Sequence, residues 1–329
     1  MRRICAALTI PLLAAAALAG CGSSGSSASS NPNSAVSVSG AFGKSPTVKI
    51  PAKKATSKLT ITTPITGSGP TVSSGDDVLA NLAIYVWSGK THKMLDSTFT
   101  SIPQMLPAKV GLTGLADAVK GKKIGSRVLA VVPPKDAYGS AGNSQLGVKG
   151  TDTTVWVIDL IKQFSPTAGA TGKQISAGGG SLPSVKAAPG TAPVISIPKN
   201  TPPSKLVSKV LIKGSGPKLA AGQTVVAQYV AVIWRTKKVF NSTWPSGGAP
   251  SATATGTPFS FQLAGTGVIP GFIKGLTGVP VGSRVMVVIP PADGYGKAGQ
   301  SSAGIKGTDT LVFVVDVLDS EPAAASAAQ

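Results

Sequence analysis

Covalent catalysis by a side chain needs a nucleophile with a base beside it, and this chain is poor in bases. Its only histidine is His92, so no triad built on an imidazole can form in the C-terminal half. The two cysteines are Cys5 and Cys21, and clustered His and Cys ligation of a metal is excluded on that inventory. The 12 acidic residues are spread along the chain with no apparent carboxylate pair. Gly265, Gly267 and Gly271 lack the spacing and the strand-to-helix context of a phosphate-cradling loop. No metal and no cofactor is therefore expected, and any chemistry must come from the shape and polarity of a pocket.

Material for a pocket is concentrated in the second half. Nine of the 16 aromatic residues lie there: Tyr229, Trp234, Phe240, Trp244, Phe259, Phe261, Phe272, Tyr295 and Phe313. Alternation along strands would place several of them on one face with Val268 and Ile269. Such rings fill a core as readily as they line a pocket, but nine exceed what a small domain needs.

The elements that must hold them occur twice. Residues 267–296 read GVIPGFIKGLTGVPVGSRVMVVIPPADGYG, and residues 110–139 read VGLTGLADAVKGKKIGSRVLAVVPPKDAYG, in register at an offset of 157 without a gap. Ile269, Phe272, Ile273 and Leu276 make the apolar stripe of a short helix. Pro270 and Gly278 mark its ends. About two turns of helix cannot stand alone in water and must press on something larger. The β-branched run Val285 to Ile289, closed by Pro290 and Pro291, supplies a strand. Nearer the start of each copy Trp87 matches Trp234 at an offset of 147, and Leu95-Asp96 matches Phe240-Asn241 at 145. The second copy then carries 12 extra residues, among them the strand-like Phe259-Ser260-Phe261-Gln262-Leu263, which the first copy is expected to lack. Strands are expected at about 206–213, 224–234, 257–263, 283–289 and 310–318, with a helix at about 271–277. The fold class is α+β.

At 329 residues the chain has room for two ordinary domains. Residues 1–20 read as a targeting segment, with Arg2 and Arg3 ahead of a short apolar run. It ends Leu18-Ala19-Gly20-Cys21, which resembles a bacterial lipobox. That resemblance implies cleavage before Cys21 and lipidation of its thiol. The mature chain would then hold no free thiol, and two acyl chains would anchor it stably. Residues 21–45 are expected as a disordered tether, 46–164 as the first domain, 165–192 as a flexible linker, 193–320 as the second domain and 321–329 as a tail. The net charge of +19 is scattered, without the basic runs interleaved with aromatics that nucleic-acid binding requires, so no nucleic acid is expected.

The second domain resembles the FKBP-type peptidyl-prolyl cis-trans isomerases. The resemblance is carried in the family's order by Val226-Ala227-Gln228-Tyr229, Lys238-Val239-Phe240-Asn241-Ser242, Phe259-Ser260-Phe261, Val268-Ile269-Pro270-Gly271-Phe272, Val281-Gly282-Ser283-Arg284, Tyr295-Gly296 and Thr310-Leu311-Val312-Phe313. It implies two FKBP-like domains, each an antiparallel sheet wrapped around one short helix. It further implies a proline pocket with Phe272 as its floor, where the family usually has Trp. Tyr229, Phe240, Phe259 and Phe313 would be its walls, and Val268, Ile269 and Ile305 its rim. The Val268 and Ile269 amides would align the substrate backbone, and the Tyr295 hydroxyl would donate to a substrate carbonyl. Asn241 stands where the family commonly has Asp, which removes a charge but keeps a polar group, so reduced rather than absent activity is expected.

The first domain departs from that pattern: Leu82, Leu95, Leu115 and Trp156 stand where the second has Tyr229, Phe240, Phe272 and Phe313, while Asp96 and Tyr138 remain. A degenerate copy with a shallower, aliphatic pocket is expected. The implied function is isomerisation of prolyl bonds in secreted or envelope proteins, by a lipid-anchored monomer on the extracytoplasmic face of the membrane. Two other readings stand beside it: a non-catalytic module or chaperone that holds proline-containing segments, and a basic surface protein associated with wall polymers.

Overall fold

Two antiparallel sheets, each closed over one short helix, organise the computed structural model, which describes residues 36–55, 57–107, 111–245 and 256–322. The targeting segment, Cys21, the first part of the tether and the end of the tail lie outside the described residues. The described residues belong to one compact unit.

In the first half, β1 (Ser37–Ser39) and β2 (Thr47–Lys49) form a hairpin. There follow β3 (Thr60–Ile65), β4 (Asp77–Ser88), β5 (Thr91–Ser97), β6 (Gln104–Leu106), α1 (Thr113–Val119), β7 (Arg127–Val132) and β8 (Thr153–Phe164). The sheet runs β3-β7-β8-β4-β5, with β6 on β4. In the second half come β9 (Lys173–Gln174), β10 (Ser184–Lys186), β11 (Val194–Ser196), β12 (Val207–Lys213), β13 (Thr224–Ile233), β14 (Val239–Ser242), β15 (Phe259–Gln262), α2 (Pro270–Leu276), β16 (Arg284–Ile289) and β17 (Leu311–Glu321). Their sheet runs β14-β13-β17-β16-β12-β9, with β15 on β13.

Each helix lies close to its sheet because small residues face it. A Cβ added at Gly271 would sit 2.5 Å from Ile289 Cγ2, and one at Gly275 would sit 2.5 Å from Val287 Cγ1. In the first half a Cβ at Gly114 would sit 2.4 Å from Val132 Cγ1. Only glycine allows that approach. The buried side of α2 then brings Phe272 and Leu276 onto Val285, Val287 and Ile289.

Three expectations need correction. The strand thought missing from the first half exists as β6: Ala80 pairs with Gln104 as Ala227 pairs with Phe259, so Gln104 and Leu106 take the positions of Phe259 and Phe261. The stretch 165–192 is not a flexible linker but contains β9, which extends the second sheet, and β10, which pairs with β11. Residues 36–45, assigned to the disordered tether, hold β1. The physical reason is common to the last two. Strands β7 and β16 are buried at every position, so each sheet has a second apolar face that must be covered. Val36 and Ile50 from the first hairpin cover Trp87, Leu129 and Val157, and Val185 with Leu182, Ile195 and Ile197 covers Trp234, Met286 and Val312.

The repeat explains how these segments are fastened. Arg127 pairs with Asp159 at 2.6 Å and donates to the carbonyls of Gly40, Ala41 and Lys44 at 2.9, 2.9 and 2.8 Å, while Asp159 accepts from the Gly43 amide. In the matching pair Arg284–Asp316, also 2.6 Å apart, Asp316 Oδ2 accepts from the Ala170 amide at 3.0 Å. The indoles of Trp87 and Trp234 donate to the carbonyls of Lys53 and Asn200 at equivalent places. The two halves also touch. Leu79 and Phe164 pack with Val226, Met105 and Leu318, Lys162 pairs with Asp319 at 2.6 Å, and the Ser260 hydroxyl donates to the Pro103 carbonyl at 3.2 Å.

Candidate functional site

On β13 the inward positions read Val225, Ala227, Tyr229, Ala231 and Ile233, as a period of two requires. The alanines beside Tyr229 leave its ring standing proud of the sheet. Register fixes its neighbours: Ala231 faces Phe313 on β17, and Ala227 faces Phe259 on β15. Helix α2 delivers Phe272 from the other side.

The rings meet edge to face. Phe272 lies 4.9 Å from Phe313 at 78°, and Tyr229 lies 6.1 Å from Phe272 at 80° and 5.8 Å from Phe313 at 57°. Phe259 approaches Tyr229 at 6.2 Å and stacks on Phe261 at 5.2 Å and 17°. These are the favoured geometries for aromatic pairs, and they hold the rings in fixed orientations. Tyr229, Phe259, Phe272 and Phe313, together with Val268, Ile269 and Tyr295, enclose a cavity of about 470 Å³ that opens to solvent. Its floor is dry, with Phe272 and Phe313 only 3% and 6% exposed, whereas Phe259 and Tyr295 at the mouth are each 37% exposed.

Three expected site residues do not line this cavity: Asn241 stands behind Tyr229 and meets it only through the hydroxyl, and Phe240 and Ile305 lie elsewhere. Phe240 packs edge-on against Phe313 at 5.8 Å and so supports a wall from behind. Ile305, expected at the rim, is 4% exposed in the core cluster. There it exchanges two backbone hydrogen bonds with Gln300, at 2.8 and 3.0 Å, and shapes the loop after Tyr295. That loop crosses itself tightly: a Cβ at Gly307 would lie 2.0 Å from the Lys297 carbonyl. Lys274 on α2 pairs with Asp293 at 2.6 Å, tying the turn that carries Tyr295 to the helix. Gly265, Thr266, Gly267 and Pro270 also line the cavity. Of these, Gly267 and Pro270 flank the expected Val268 and Ile269, whereas Gly265 and Thr266 carried no signal in the sequence.

The polar groups are few and set. The Tyr229 hydroxyl donates to Asn241 Oδ1 at 3.0 Å. Burial, and then the nearby Tyr295, push the Tyr229 phenol up to about 12, and burial raises Tyr295 as well. Both phenols are therefore neutral donors throughout the physiological range. The arrangement can grip a small apolar ring and offer one hydroxyl at its edge. In the first half the corresponding hydrogen bond cannot exist, because Leu82 has no hydroxyl and Asp96 instead accepts the Ser97 amide at 2.8 Å. The indole of Trp156 there donates to Thr154 Oγ1 at 2.8 Å.

A dry aromatic cup on an antiparallel sheet with one crossing helix is the plan of a prolyl isomerase domain. The sequence model of the FKBP-type peptidyl-prolyl cis-trans isomerases matches residues 216–318, the half that holds the cup. An FK506-binding protein of Streptomyces anulatus is 36% identical over 126 residues, which cover 38% of this chain and 94% of that protein. The chain belongs to the FKBP-type peptidyl-prolyl cis-trans isomerase family. The isomerase FkpA of Escherichia coli strain K12 is 38% identical over 118 residues, which span 36% of this chain and 38% of that protein. The crystal structure of FkpA from Escherichia coli aligns with 36% of this chain and 49% of that chain at 37% identity, with a TM-score of 0.31.

Proposed function

We propose that the second half is the working isomerase of the chain, that the first half is a degenerate copy with weak or no turnover, and that the substrates are secreted or envelope proteins met from a lipid anchor. The observation that carries the first part is the closed set of four rings, Tyr229, Phe259, Phe272 and Phe313, around an open cavity. Resonance gives the peptide bond a rotational barrier of ~18–20 kcal/mol and places charge on its oxygen. Water stabilises that charge, so water favours the planar amide. A prolyl ring seated in the cup takes its amide out of water, and the twisted, less polar amide gains relative to the planar one. The neutral Tyr295 hydroxyl at the mouth holds a substrate carbonyl while the bond turns. Asn241, which holds the Tyr229 hydroxyl, keeps that ring in place without adding charge. No bond to the protein is made.

Anchoring rests on the sequence alone: Arg2, Arg3, the apolar run and Cys21 in lipobox context. Growth with a labelled fatty acid should label the chain, and Cys21→Ser should abolish both label and membrane association. Labelling that survives the substitution contradicts the anchor.

Plugging each half tests the division of labour in the full chain. Val268 lines the cup, and its counterpart Gly111 has open space beside its Cα, with nothing within 4 Å of an added Cβ. Val268→Arg should abolish isomerisation of a proline tetrapeptide, and Gly111→Arg should leave it intact. The opposite pattern would move the activity to the first half. Tight peptide binding without acceleration would favour a holding module.

A further inference from the structure

Phe259 and Tyr229 line more than the cup. They also line an adjoining cleft of about 560 Å³ whose opposite wall belongs to the first half, where Ile102, Gln104 and Met105 face them with Asn241 alongside. A second depression, of about 700 Å³, runs from Phe259 and the cup-lining Gly265 and Gly267 to Thr100 and Ile102. The cup is thus continuous on two sides with grooves walled by residues 100–107. That wall is fixed in place by the hydrogen bond from Ser260 to Pro103, by the Lys162–Asp319 pair and by the packing of Met105 with Leu79, Phe164 and Val226.

The chemistry of the grooves is specific. In a chain of net charge +19, neither depression is lined by a charged side chain. Ile102 and Met105 offer apolar surface. Asn241 accepts the Tyr229 hydroxyl through Oδ1, which leaves its NH₂ to donate, and the exposed Gln104 offers a second amide. Apolar surface beside amide donors and acceptors suits an extended peptide with uncharged side chains, because backbone carbonyls and amides would otherwise lose their partners on burial. Gln104 is also the residue that replaces Phe259 in the first copy. The ring that the first half lacks for a cup of its own has become a polar contact at the mouth of its neighbour's.

We propose that residues 100–107 of the first half form a recognition wall for the residues flanking the proline in a polypeptide bound to the second half. This rests on the isomerase reading given above. The degenerate copy then acts as a specificity element, and chains long enough to leave the cup are preferred when their flanks are apolar and uncharged.

The test compares, on the full chain, a proline tetrapeptide that reaches only the cup with a longer peptide carrying Ile and Leu on both sides of the same proline. The longer peptide should have a kcat/KM higher by about tenfold, the gain lying in KM. Ile102→Asp should remove that gain and change the tetrapeptide value by less than about twofold. Gln104→Trp, at an exposed position that fills the cleft, should do the same without disturbing the interface. No length preference, or a preference that survives both variants, overturns the recognition wall. So does loss of tetrapeptide turnover in both variants, since the cleft would then not be separable from the cup. If the unmodified chain turns over neither peptide, the isomerase reading itself has failed and the recognition wall falls with it.

Discussion

Removing the ring of Phe272 opens the floor of the cup and strips three aromatic neighbours at once. Its ring lies 4.9 Å from Phe313, 5.4 Å from Phe261 and 6.1 Å from Tyr229, and the residue is 3% exposed. Truncation of a buried Phe to Ala costs about 3–5 kcal/mol, depending on how far the surroundings collapse. Collapse is blocked here. The helix already touches the sheet at Gly271 and Gly275, where even a Cβ would clash at 2.5 Å, so Phe272→Ala should cost about 4–5 kcal/mol. Catalysis should fall as well. Losing the contact of one or two proline methylenes with the floor, at about 0.8 kcal/mol each, lowers kcat/KM roughly fourfold to fifteenfold. Phe272→Leu separates the two effects, because it keeps most of the packing but not the flat floor. Urea unfolding followed by tryptophan fluorescence, with tetrapeptide isomerisation measured on the same samples, reads both. A stability loss below about 1 kcal/mol in the alanine variant, with unaltered turnover, would show that this ring is neither floor nor keystone.

Tyr295→Phe should lower kcat/KM about twofold to tenfold, the worth of one hydrogen bond at roughly 0.5–1.5 kcal/mol, and leave the melting temperature unchanged; an unaffected rate would remove the hydroxyl from the mechanism. Tyr229 ties stability to alkaline pH. Its folded pKa is raised to about 12 against 10.0 for the free phenol, so the contribution is fully present below pH 10 and is lost as pH rises through about 12, a total of about 2–3 kcal/mol. Tyr229→Phe should flatten that limb of the stability curve, and an unchanged limb would contradict the assignment. Arg284→Met strands Asp316, which is 1% exposed in its side chain, and should cost about 3–5 kcal/mol. In Arg127→Met, hydrogen exchange should rise across residues 37–49, which the guanidinium holds by three carbonyls; unchanged protection there would refute the strapping role.

How far the sequence discloses this molecule depends on the length scale of each signal. Helix α2 and strands β12, β13, β16 and β17 follow from runs long enough to show a period, and each falls within a few residues of its expected place. The site residues follow from the aromatic types and the order of their motifs, and the structure gathers Tyr229, Phe259, Val268, Ile269, Phe272, Tyr295 and Phe313 around one cavity. What stays hidden is carried by isolated apolar residues in Gly, Ser and Pro surroundings. Leu182 and Val185 look like linker until the second face of the sheet claims them. A signal for that existed: Val285 to Ile289 does not alternate with polar residues, and an unbroken apolar run implies cover on both faces. Strand β6 escaped because three residues have no period and because Gln104 replaces the ring that marks its counterpart. The contact between the halves had no local trace, since Leu79, Phe164 and Val226 read as ordinary core positions of their own domains.

On the proposed function the cup speeds rotation of a prolyl bond rather than merely holding it. Exchange between the cis and trans forms of a proline tetrapeptide at equilibrium, followed by NMR with substoichiometric protein, measures that directly. Accelerated exchange that disappears with Val268→Arg is the expected result. Shifts of the Tyr229, Phe272 and Phe313 ring signals on peptide binding, with the exchange rate unchanged, would contradict it.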